Sequence, residues 1–136
     1  MRPKKSFEVH AEIVVKLTEE DVTDIICTAL EGGIGYWCCL DNTSDAYENA
    51  PYDEPVSITA AKIMLGGGSL DLIDEEDGGT HRLDIEALMR GFRVWIEKGY
   101  DRWNVVCGQS VDLCNLDGPG ADGIIQCALF GDLVYG

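Results

Sequence analysis

Apolar and polar residues alternate along residues 6 to 17. Phe7, Val9, Ala11, Ile13 and Val15 fall on one side, with Glu8, His10 and Glu12 on the other. A period of two predicts a β-strand with one buried face, and it sets His10 towards solvent. The period then lengthens. Val22, Ile25, Ile26, Ala29 and Leu30 recur at helical spacing behind Thr18, which can cap the first turn with Asp21 at the third position. Gly32 and Gly33 predict the end of that helix or a close packing point. The segment from Ile34 to Cys39 is small, aromatic and thiol-rich, and reads either as a further helical turn through the core or as a loop lining a ligand.

Polar and turn-forming residues dominate positions 41 to 55, which predicts a loop. Ser57 to Leu65 predicts a short helix, and Gly66, Gly67 and Gly68 a flexible joint after it. Leu70–Asp74 and Thr80–Leu83 read as two strands of a hairpin turning through Glu75–Gly79. Asp84 is positioned to cap a helix running to Lys98 and stopping at Gly99, with Ile85, Leu88, Met89, Phe92, Trp95 and Ile96 on its apolar face. Gly91 interrupts that face and predicts close approach of another backbone. Irregular strands are expected at Val105–Cys107 and Ser110–Leu116, and a turn at Asp117–Gly120. A hydrophobic helix is expected over Ala121–Phe130, with Asp122 near its positive end, and a short strand over the last five residues. Together these elements predict a single α+β domain over residues 1–136, an antiparallel sheet with helices packed mainly on one face.

Composition adds a strong charge bias. The 136 residues carry 25 acidic and 10 basic side chains, a formal charge of −15, yet 46% are hydrophobic. A core is therefore expected, and direct nucleic-acid binding is not, because phosphate contacts need clustered Lys and Arg. Four of the ten bases (Arg2, Lys4, Lys5 and Lys16) precede residue 17, against only two acids, Glu8 and Glu12. The remainder is more acidic than the total suggests. Two runs stand out: Asp41, Asp45, Glu48, Asp53 and Glu54 in the loop, and Asp71, Asp74, Glu75, Glu76 and Asp77 along the hairpin. Their spacing does not match a calcium-binding loop.

The six cysteines form no CxxC pair, and Cys38–Cys39 adjacency is poor geometry for one tetrahedral metal, so no metal or cofactor is assigned. No stretch reaches membrane-spanning length, and residues 1 to 17 lack the apolar core of a signal peptide, which predicts reduced thiols, a cytoplasmic location and no membrane partner. Gly67, Gly68 and Ser69 could line a small-ligand pocket with Glu31, Tyr36 and Trp37, and Arg90 or Arg93 could contact an anion. The glycine run is not a P-loop, since no Lys-Ser/Thr follows it. Catalysis is the weaker expectation. Asp24 and Glu31 can share a helical face and Cys38 could meet His10 or His81, but no local motif joins them. No catalytic residue is assigned.

Three blocks carry a family likeness: Asp21–Cys38 (DVTDIICTALEGGIGYWC), Gly67–Leu70 (GGSL) and Ala121–Gly131 (ADGIIQCALFG). The chain resembles uncharacterised small acidic proteins of Gram-positive bacteriophages, prophages and related mobile elements. The resemblance implies an accessory protein inside a bacterial host cell that inhibits or modulates host machinery such as defence, and it implies no catalytic role. The acidic runs then predict a host partner with a basic groove, reached by electrostatic steering. The alternatives are a protein that sequesters a small ligand or nucleotide, and a structural homo-oligomer packed through its aromatic and C-terminal segments.

Overall fold

A computed structural model describes residues 4–136; Arg2, counted above among the N-terminal bases, lies outside them. The elements follow in the order α1 (Glu19–Thr28), β1 (Cys38–Leu40), α2 (Asp45–Glu48), α3 (Val56–Leu65), β2 (Leu70–Asp74), β3 (Thr80–Leu83), α4 (Ile85–Glu97), β4 (Val106–Cys107), β5 (Ser110–Val111) and α5 (Gly118–Phe130). This is the expected α+β class. β1, β2 and β3 form an antiparallel sheet with β2 in the centre, and β4 and β5 pair as a separate two-stranded ribbon. Among the described residues no helix is long and apolar enough to cross a membrane.

Local chemistry accounts for most helix boundaries. Thr18 accepts from the Asp21 N–H at 3.1 Å while the Asp21 carboxylate accepts from the Thr18 N–H at 2.9 Å, the reciprocal capping box expected there. The α1 axis continues through a π-helical turn, Ala29–Gly33, whose last residue is buried against α5. A Cβ at Gly33 would stand 2.7 Å from the Gly118 carbonyl oxygen. Asp84 caps α4 by accepting from Ala87 N–H at 2.8 Å. Gly91 permits the close crossing that its position predicts: a Cβ there would sit 2.5 Å from the Ala128 backbone.

The core lies between the sheet and the helices. Leu70, Leu72 and Asp74 of β2 point inward with Leu83 of β3 and Cys38 of β1, and the alternate residues point out. α5 runs through the centre, buried continuously from Gly120 to Cys127. Trp37 and Trp95 are fully enclosed, among side chains whose burial is worth about 1.5–3 kcal/mol each.

Several expectations are corrected. Residues 6 to 17 form no strand. The segment carries no regular element and pairs with no strand among the described residues, and Phe7 and Val9 are each 89% exposed; only Val15 and Leu17 of it pack against the core. Alternation reports amphipathicity, and a strand also needs a neighbour to receive its hydrogen bonds. Ile34–Trp37 make a turn rather than a helix before β1, and the loop from 41 contains the short helix α2. Ser110–Leu116 divides into a two-residue strand and a 3-10 turn. The expected turn at Asp117–Gly120 is the start of α5: Asp117 is its N-cap, accepting from Gly120 N–H at 3.0 Å, and Pro119 sits in the first turn where its missing N–H costs nothing. Asp122 is consequently in the second turn and buried. The last five residues form no strand either; side chains hold them in place.

Candidate functional site

Strand register builds the first candidate surface. Cys39 pairs with Ile73 and Ile73 with Thr80, while Asp71 pairs with Arg82 and the Asp41 N–H bonds the Asp71 carbonyl at 2.9 Å. These residues therefore share the outer face of the sheet, where side chains of alternate residues point the same way. Glu75, which follows β2, donates its N–H to the Trp37 carbonyl, and its carboxylate is near enough to raise the Cys39 thiol pKa after burial. Glu75, Glu76 and Asp77 are exposed on the adjoining turn. The compensating cation in this row is Arg82, 3.9 Å from Asp71 with both side chains largely solvated.

The other acids divide. Asp45, Glu48 and Asp53 are exposed on and after α2. Asp41 is held by Thr43, whose hydroxyl (2.6 Å) and N–H (3.1 Å) both donate to it and lower its pKa. Glu54 is engaged by Lys62 and by the Thr59 hydroxyl, which hold its carboxyl below the usual range. Asp74 is a correction. It faces inward at 1% exposure and contributes nothing to an acidic surface.

The residues proposed to line a ligand pocket do not converge. Glu31 is exposed and accepts from Ser57 at 2.7 Å. Gly67, Gly68 and Ser69 form the joint between α3 and β2, with Gly67 at φ +94°. Arg90 is exposed on α4, and Arg93 is paired with Glu97 at 2.8 Å. Only Tyr36 and Trp37 come together, and they do so at the wall of an open groove of about 1200 Å³. Trp95, Tyr100, Trp103, Arg102 and the C-terminal residues Leu133–Gly136 also line it.

Beneath that groove lies a polar cluster built on one buried carboxylate. Asp122 Oδ1 accepts from Trp37 Nε1 (2.8 Å) and Gln126 Nε2 (2.9 Å), and Oδ2 accepts from the Tyr36 hydroxyl (2.6 Å). Gln126 then binds the chain end. Its Oε1 accepts from the Val134 and Tyr135 N–H groups at 2.7 and 2.8 Å, and its Nε2 donates to the Tyr135 carbonyl at 3.2 Å. The Tyr135 ring stacks on Trp37 at 4.9 Å, and its hydroxyl donates to Asp74 Oδ2 at 2.6 Å.

No family model, curated protein or solved structure matches this chain.

At the cluster, the Tyr36 hydroxyl pKa is pushed up to about 12 by burial and by Asp122, and that of Tyr135 to about 12 by its bond to Asp74. Both stay protonated donors near neutrality. The Asp74 carboxyl is held low, first by Tyr135, then by the Glu76 N–H and His81. Asp74, Asp77 and His81 bring three ligand-type atoms within 4.8 Å of one another. Both Asp74 oxygens are already occupied, by Glu76 N–H and by Tyr135 with His81 at 3.4 Å. The same holds for Asp122 and Gln126. This cluster closes the fold around the C-terminal residues, and its acceptors are engaged in doing so.

Four of the thiols, Cys27, Cys38, Cys39 and Cys127, are shifted away from the thiolate form. Burial pushes Cys38 up to about 12 and Cys127 to about 11, and Cys39 is raised as well. A thiolate nucleophile needs the opposite shift. Asp122, Gln126, Tyr135 and the groove residues Arg102 and Trp103 were missed in the sequence. A signal for the first two was present: a polar pair four residues apart within an otherwise apolar helix must satisfy its polar atoms inside.

Proposed function

We propose that this chain is a non-enzymatic binding protein that engages a basic surface of a partner protein through the acidic outer face of its sheet. The observation that carries this reading is the register itself. It sets Asp41 and Asp71 in one row, with Glu75, Glu76 and Asp77 at the adjoining turn and Arg82 as the cation paired to Asp71. Such a field raises encounter rates with a positive groove and falls with ionic strength. The resemblance to phage and mobile-element proteins supplies the setting, in which the partner is a bacterial host protein of defence or nucleic-acid handling and binding inhibits or modulates it.

The test is affinity capture from a Gram-positive bacterial lysate, with wild type compared to Asp71→Lys/Glu75→Lys, at about 50 and about 500 mM salt. A specific basic protein should be retained by wild type at low salt and lost both at high salt and with the variant. Equal retention by the variant sinks the reading.

A second reading is favoured by the groove. Tyr36 is 55% exposed there, and Tyr100, Trp103 and Arg102 offer ring faces and one cation, chemistry suited to a planar anionic ligand such as a nucleotide. A thermal-shift panel of nucleotides decides it, since no shift at millimolar ligand removes this reading.

A further inference from the structure

Residues 6–17 carry a strand pattern in sequence and pair with no strand among the described residues. No backbone hydrogen bond among the described residues uses an N–H or carbonyl of residues 4–17. The apolar side of the segment is largely bare: Phe7, Val9 and Ile13 are exposed, and only Val15 and Leu17 reach the core. Beside it runs a second groove, of about 710 Å³, between residues 11–17 and the Met89, Phe92 and Ile96 side of α4. Successive residues from Ala11 to Val15, belonging to both sides of the alternation, line this groove. The segment therefore presents an edge to it, with its hydrogen-bonding groups available.

We infer that this groove is filled by residues 7–13 of a second copy of this chain, paired antiparallel with residues 11–17 in a symmetric dimer. Charge and side-chain register select this occupant. A two-fold axis through Glu12 sets Phe7 opposite Leu17, Val9 opposite Val15 and Ala11 opposite Ile13 of the other copy. Val15 and Leu17 already turn towards the core, so the Phe7 and Val9 brought beside them turn the same way, into the groove against Met89 and Ile96. On the solvent side the same register sets Glu8 opposite Lys16, twice per dimer. The one unfavourable pair is Glu12 with its own copy, at the solvated axis where salt screens it. The inserted residues 7–13 carry Glu8 and Glu12 and no Lys or Arg, so the cations within reach of them are Lys16 of the facing copy and Arg93 on the groove wall. A symmetric interface is self-complementary, as this register is. The inference does not depend on the acidic-face reading, which concerns a different partner and a different surface.

Sedimentation equilibrium of the full chain tests it, over about 1 to 100 µM protein. Wild type should approach twice the chain mass of 14.9 kDa. Phe7→Ser/Val9→Ser should be monomeric with an unchanged thermal midpoint, because both side chains are solvated in the single copy. Glu8→Lys and Lys16→Glu should each weaken the dimer by roughly fivefold to thirtyfold, and the two combined should restore it. A monomeric wild type overturns the inference, as does a dimer indifferent to Phe7→Ser/Val9→Ser or to the single charge reversals.

Discussion

Replacing Asp122 separates two accounts of that residue by magnitude. If Asp122 acted only through the positive end of α5, its loss would cost about 0.3–1 kcal/mol, and less in the second turn, where the field has faded. The structure assigns it a larger load. Its carboxylate accepts from Trp37 Nε1, Gln126 Nε2 and the Tyr36 hydroxyl at 2.6–2.9 Å, at 7% exposure. Bonds to a charged acceptor contribute about 1.5–3 kcal/mol each, although they do not add fully and the carboxylate's own desolvation opposes them. In Asp122→Ala, Tyr36 is exposed enough to turn to water, and Gln126 Nε2 keeps the Tyr135 carbonyl. The Trp37 indole N–H, wholly enclosed, keeps nothing. One orphaned buried donor, a small cavity and a loosened chain end give an expected loss of about 3–4 kcal/mol. Asp122→Asn keeps the acceptor facing Trp37 and Gln126 but turns an amide on the Tyr36 hydroxyl, and should lose about 1–2 kcal/mol. The assay is urea unfolding followed by tryptophan fluorescence, with free energies extrapolated to water. The asparagine variant keeps the series measurable if alanine does not fold. A loss below about 1 kcal/mol for Asp122→Ala would refute the account, because the dipole alone would then suffice.

Three further outcomes are expected. Gly91→Ala should cost about 2 kcal/mol or more by the same urea assay, since its methyl would meet the Ala128 backbone at 2.5 Å and two helices would have to separate. The Asp132 carboxyl is depressed to about 2, first by Tyr100 and then by Lys98. A depressed carboxyl stabilises the fold above its unfolded pKa and loses that contribution as pH falls through the folded value. Asp132→Asn should therefore flatten the fall in thermal midpoint between about pH 4 and pH 2; an unchanged acid limb contradicts the assignment. At pH 8 a thiol reagent should label exposed Cys107 and Cys114 quickly while buried Cys38 and Cys127 stay protected until unfolding, and prompt labelling of Cys38 would show that its enclosure is wrong.

What was legible in the sequence follows the range of the interaction. The capping box at Thr18, the Asp84 cap, the hairpin at residues 70–83 and the close approach at Gly91 each depend on residues near in sequence or on the absence of one side chain. All are where the pattern put them. Asp117-Gly-Pro-Gly carries both a turn signature and a helix start, and only the apolar run after it, docked in the core, decides for the helix. The buried carboxylates were the hardest to read. Asp74 sits among other acids, Asp122 is marked only by Gln126 four residues on, and the partners that permit their burial, Tyr135 and Trp37, lie 61 and 85 residues away.

The two misjudged strands show the converse error. At the C-terminus the last residues make strand-like hydrogen bonds, but to the Gln126 side-chain amide, which offers a carbonyl and an N–H as a neighbouring backbone would. At residues 6–17 the alternation is real, and among the described residues no backbone group bonds to it. A pattern that satisfies its polar groups in one case and leaves them open in the other marks where the fold is closed and where it still has an edge to offer. The N-terminal segment is therefore the place for association, whereas the polar groups of the aromatic and C-terminal segments are already bound.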